Sequence, residues 1–151
     1  MKKLTFIIVL LTFVGCIRAD LETQIYQDPD DRFVLEYPVD WSVTKSHDEV
    51  QFWDSLENPS LKMALFETQA SDFEQLQIGF ELDDDFLEMV VDFVELHGLP
   101  VMIKKGSFMS DFQVYYYNLG EEIIGFSAYY SATTPGHLDQ VTQIQQSFRT
   151  G

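Results

Sequence analysis

Cysteine is almost absent from this 151-residue chain: Cys16 stands alone, so no internal disulfide can hold the fold and no second thiol can share a metal. Basic residues are scarce as well, 9 against 25 acidic ones, for a formal charge of −16. Such an excess repels phosphate backbones and anionic membrane surfaces, which sets nucleic-acid binding aside. Long apolar runs are missing too. The apolar run Leu4–Val14, 11 residues without a charge, is shorter than the about 20 residues a helix needs to cross a bilayer. Length allows one domain of ordinary size.

The first residues have the parts of an export signal. Lys2 and Lys3 give a positive start, Leu4–Val14 an apolar centre, and small or polar residues follow. Two processing routes are open. Phe13-Val14-Gly15-Cys16 resembles a bacterial lipobox, in which the cysteine is lipidated and becomes the new N-terminus. Ordinary signal-peptidase cleavage after Ala19 is the alternative. Acylation would explain why a lone thiol needs no partner, so the division expected is 1–15 leader, 16–31 tether and 32–151 domain. Losing Lys2 and Lys3 would make the formal charge two units more negative.

What remains is rich in hydrophobic residues (46%), with 13 Phe and 7 Tyr. That supports a generous core and argues against disorder. Asp28-Pro29-Asp30-Asp31 reads as a turn at the end of the tether. Alternation in Phe33–Tyr37 predicts a strand stopped by Pro38, and Trp41-x-Val43, Val50–Trp53 and Leu61–Thr68 predict three more. Asp83-Asp84-Asp85 then predicts a capped helix, with Glu88 completing a capping box. Its apolar face would comprise Phe86, Met89, Val90, Phe93, Val94 and Leu96, and Gly98 and Pro100 would end it. Phe112–Asn118 and Ile123–Thr133 predict a hairpin around Leu119–Glu122, and Thr134-Pro135 a last helix carrying Leu138, Val141, Ile144 and Phe148. The sum is an α+β domain, a mainly antiparallel sheet covered by helices.

Phe33-Val-Leu-Glu-Tyr37-Pro38-Val-Asp-Trp41 and the closing Gln146-Ser147-Phe148-Arg149 resemble the opening strand and C-terminal helix of PsbP-like domains, over residues 26–150. The resemblance implies an α/β/α sandwich. Plant members of that family are extrinsic photosystem subunits, and many bacterial relatives are small lipoproteins or secreted domains. No metal-binding or docking residue of the family matches this chain position by position, so none is carried over.

Chemistry-bearing patterns are thin. His47, His97 and His137 lack helical ligand spacing, Asp28-x-Asp30 is followed by Arg32 and so fails as a calcium loop, and Gly125-Phe-Ser127-Ala-Tyr129 lacks the last glycine of a nucleophile elbow. No catalytic residue, cofactor or metal site is expected. Two surfaces remain as binding candidates. Glu88, Asp92 and Glu95 would share one helical face. Tyr115, Tyr117, Tyr129 and Tyr130 would line an aromatic groove. Solvated acids and cross-strand stabilising rings are the bland uses of the same residues. The function expected is a non-catalytic, membrane-tethered envelope lipoprotein that binds another protein. The alternative is a carrier of a small apolar or aromatic ligand, and an enzyme of unrecognised type comes third.

Overall fold

A computed structural model describes residues 22–81 and 89–151. The leader, both processing sites at Cys16 and Ala19, and the Asp83–Glu88 stretch lie outside the described residues.

The chain runs β1 (Thr23–Gln27), β2 (Phe33–Pro38), β3 (Ser42–Lys45), β4 (Glu49–Trp53), β5 (Lys62–Glu67), α1 (Phe73–Glu81), β6 (Val90–Leu96), β7 (Leu99–Phe108), β8 (Ser110–Asn118), β9 (Ile123–Tyr130), α2 (His137–Gln146) and β10 (Arg149–Thr150). Among these, β1-β2-β10 form a small sheet and β3-β4-β5-β9-β8-β7-β6 a large one, and neighbouring strands in both are antiparallel.

The small sheet and α2 cover one face of the large sheet. Phe33, Leu35 and Tyr37 meet Phe52, Met63, Leu65, Tyr117 and Phe126 there, with Val141, Ile144 and Phe148 closing the core. Tyr37 and Trp41 are buried on either side of the Pro38 turn, and Tyr37 meets Phe52 edge-on at 5.2 Å. A pair of buried glutamines latches α2 to the sheet. Gln113 Nε2 donates to Gln145 Oε1 (2.6 Å), and Gln145 Nε2 donates to the Phe126 carbonyl (2.6 Å). Such amides belong in a core only when paired in this way.

The opposite face carries a second cluster, Met102, Val114, Tyr116 and Ile123, under Phe73 and Leu76 of α1. Gly125 lies on it beneath the Phe66 ring, where a Cβ would overlap the ring atoms. Among the described residues helices therefore pack on both faces, but they are short against seven strands. "Covered by helices" overstates their reach.

The structure corrects several expectations. Thr23–Gln27 is a strand paired with β2, not tether. The predicted helix from Asp85 to Leu96 is instead, over Val90–Leu96, the strand β6. Its β-branched Val90, Val91 and Val94 favour extended backbone. His97 and Gly98, at φ of 52° and 80°, form the two-residue left-handed turn that joins it to β7. Gly98 thus makes a hairpin rather than a helix C-cap, and Pro100 lies within a strand. A helix does occur earlier. Asp72 Oδ1 accepts the Gln75 N–H (2.9 Å) while Gln75 Oε1 accepts the Ser71 N–H (3.1 Å), a reciprocal cap that starts α1. The last helix begins at His137, after Gly136 at φ 83°, rather than at Thr134.

Candidate interaction surface

The tyrosine groove does not form. Alternation along β8 sends Tyr115 and Tyr117 into the core under α2 and Tyr116 to the other face against Phe66. Tyr117 is fully buried, stacked on Phe148 at 3.9 Å, and its phenol donates to the Gln145 carbonyl (2.6 Å). Tyr130 is buried as well. Burial pushes the Tyr116 phenol up to about 12 and raises Tyr115, Tyr117 and Tyr130. Of the four candidate rings only Tyr129 is exposed, beside Phe112 and opposite Lys62, whose ammonium lies over the Trp53 ring at 4.9 Å.

The acidic face is broken up for a related reason. In a strand, residues three apart point to opposite sides. Asp92 pairs with Ile103 on the α2 side of the sheet, and Glu95 pairs with Pro100 on the α1 side. Glu88 lies outside the described residues.

An open cleft of about 830 Å³ lies where the β1–β2 and β3–β4 turns approach the end of β5. Arg32 dominates its wall. Its Nε and Nη2 donate to the two oxygens of buried Asp28 (2.8 and 3.0 Å), and Nη1 donates to Glu67 (2.6 Å) and Glu122 (2.9 Å). Burial would raise the Asp28 carboxyl, but hydrogen bonds from the Arg32 side chain and the Arg32 and Asp30 N–H groups outweigh it and hold it below the ordinary range. The same bonds raise the Arg32 guanidinium. This fork is occupied by the protein's own carboxylates, so it clasps two turns to the sheet rather than offering a cation to a ligand. Among the described residues no three His, Cys, Asp or Glu side chains are grouped to hold a metal ion.

The most unusual surface is β6. A strand with one face on a core alternates buried and exposed positions. Here Val90 (58% exposed), Val91 (38%), Phe93 (57%) and Val94 (39%) all reach solvent. Ile25, Leu56 and Ile78 are exposed singly, which is ordinary, but these four share one strand, Val91 and Phe93 on the α1 side and Val90 and Val94 on the α2 side. The strand also ends the large sheet, with no further strand beside it among the described residues. Read as a helix, these residues are the buried face. The signal for the true arrangement is the Val-Val…Val run followed by His97-Gly98 and the apolar Val101–Ile103 that pairs with it.

No protein-family model and no curated protein matches the chain. Solved structures do. The solution structure of cyanobacterial PsbP (CyanoP) from Synechocystis sp. PCC 6803 aligns with 93% of this chain and 99% of its own, at 10% identity and a TM-score of 0.63. A crystal structure from Bacteroides thetaiotaomicron VPI-5482 aligns with 84% of this chain at 10% identity and a TM-score of 0.55, and the match spans 48% of that longer chain. Identity this low carries fold and nothing finer. In fold, the chain is a PsbP-like domain.

Proposed function

We propose that this protein is a non-catalytic accessory module of the cell envelope, exported and anchored through Cys16, that works by docking protein at the edge strand β6. The observation that carries the reading is the apolar exposure of Val90, Val91, Phe93 and Val94, on both faces of a strand whose outer edge is unpaired among the described residues. Unused backbone donors and acceptors beside exposed apolar side chains are what strand addition requires. The leader and lone thiol support the setting, and no described helix is long and apolar enough to cross a membrane. The photosystem role of the family's plant members is not part of the reading.

A photo-crosslinking residue placed at Phe93 in cells of the natural host should give protein adducts, while one at exposed Asn58 should not. No adduct at 93, or equal adducts at both, would contradict docking at this edge. Intact mass of the same material should carry a diacylglyceryl group on Cys16.

A further inference from the structure

The occupant of the β6 edge can be argued further, resting on the docking reading above. We propose that it is a second copy of this chain, paired antiparallel through β6 about a two-fold axis at Phe93, so that the two large sheets become continuous.

The backbone of β6 is ready for this. Pro100 has no N–H, so its pair with Glu95 is of the kind without hydrogen bonds. Alternation then directs the N–H and C=O groups of Val91, Phe93 and Glu95 away from β7, toward the free edge. A residue on a two-fold axis whose N–H and C=O face the partner exchanges both hydrogen bonds with its own copy, and Phe93 has the outward-facing groups to do so. It is also the midpoint of Val90–Leu96, so this register pairs all 7 residues of the strand.

The side chains agree with the register. Centred on Phe93, Val91 lies opposite Glu95, Asp92 opposite Val94 and Val90 opposite Leu96. Each carboxylate faces an aliphatic group and no two carboxylates meet. Moving the axis one residue back would set Asp92 against Asp92, a like-charge pair that destabilises a ladder. The strand holds no Lys and no Pro, two residues by which edges are commonly protected from pairing. The opposing influence is net charge, −16 on the full chain and two units more negative once Lys2 and Lys3 are removed. Salt screens it beyond about 8 Å at physiological strength, so self-association should strengthen as salt is added, whereas docking of a basic segment would weaken.

The test is sedimentation of the chain as its host processes it, alongside Phe93→Cys and Phe93→Lys. Wild type should sediment at twice the chain mass at micromolar concentration, more completely in high salt. Phe93→Lys, which sets two ammonium groups opposite each other on the axis, should weaken the dimer by at least about tenfold. Mild oxidation of Phe93→Cys should link residue 93 to residue 93, since directly opposed Cα atoms about 5.5 Å apart are within disulfide reach. Asn58→Cys should not link. A wild type that stays monomeric, or a dimer that neither links at 93 nor responds to Phe93→Lys, would overturn self-pairing. A monomer that still gives a position-93 adduct with a different protein overturns the two-fold dimer alone. Absence of both removes the docking reading too.

Discussion

The phenol of Tyr117 joins β8 to the last turn of α2, donating to the Gln145 carbonyl while its ring stacks on Phe148. Tyr117→Phe keeps the stack and removes one of two hydrogen bonds to that carbonyl, which also accepts the Phe148 N–H (3.3 Å). The expected loss of unfolding free energy is about 0.5–1.5 kcal/mol, measured by urea denaturation, with no change in oligomeric state. Asp28 makes a different prediction. Its folded pKa is depressed, so its stabilisation is present above its unfolded pKa of about 3.9 and disappears as pH falls through the lower folded value. Asp28→Asn should therefore cost about 1–3 kcal/mol near neutral pH, and the gap from wild type should close in the acid range below pH about 4. Equal gaps at both ends would mean that the clasp with Arg32 adds nothing through charge.

At the scale of the element, the β6–β7 hairpin depends on its turn. Gly98 sits at φ 80° with nothing within 4 Å of where a Cβ would stand, so Gly98→Ala tests backbone conformation alone. It should destabilise the domain by about 1–2 kcal/mol. Little change would mean that the turn is not left-handed. This hairpin was also the least legible part of the sequence. Phe33–Pro38, Val50–Trp53 and the Leu119–Glu122 loop were readable because each alternates against one core or carries turn residues in place. Val90–Leu96 has apolar residues whose spacing also suits a helix, and Gly98 followed by Pro100 serves a helix end as well as a hairpin. Only pairing with Val101–Ile103 decides between them, and that is a tertiary fact. The α1 cap was legible in principle, since Asp72-x-x-Gln75 has the spacing of a capping box, but it is overshadowed by the three aspartates downstream. The tyrosines misled for a simpler reason. Alternation shows that two faces exist, and it does not show that both are covered.

Across the whole molecule, buried phenols set the alkaline limit. Tyr115, Tyr116 and Tyr117 have folded pKa values above the unfolded value of about 10. Their contribution is complete below that pH and is lost as pH rises toward the folded values. Unfolding should therefore set in above pH about 10, with tyrosinate absorbance rising cooperatively as circular dichroism is lost; independent titration with the fold intact would contradict the burial described. The central claim, that β6 is an edge strand with groups reserved for a partner, is tested most directly by residue-resolved amide hydrogen exchange. The N–H groups of Val90, Asp92 and Val94 should be protected at all concentrations, and those of Val91, Phe93 and Glu95 should become protected only as concentration rises. Uniform helix-like protection along the segment, or exchange of Val91, Phe93 and Glu95 that never slows with concentration, would contradict it.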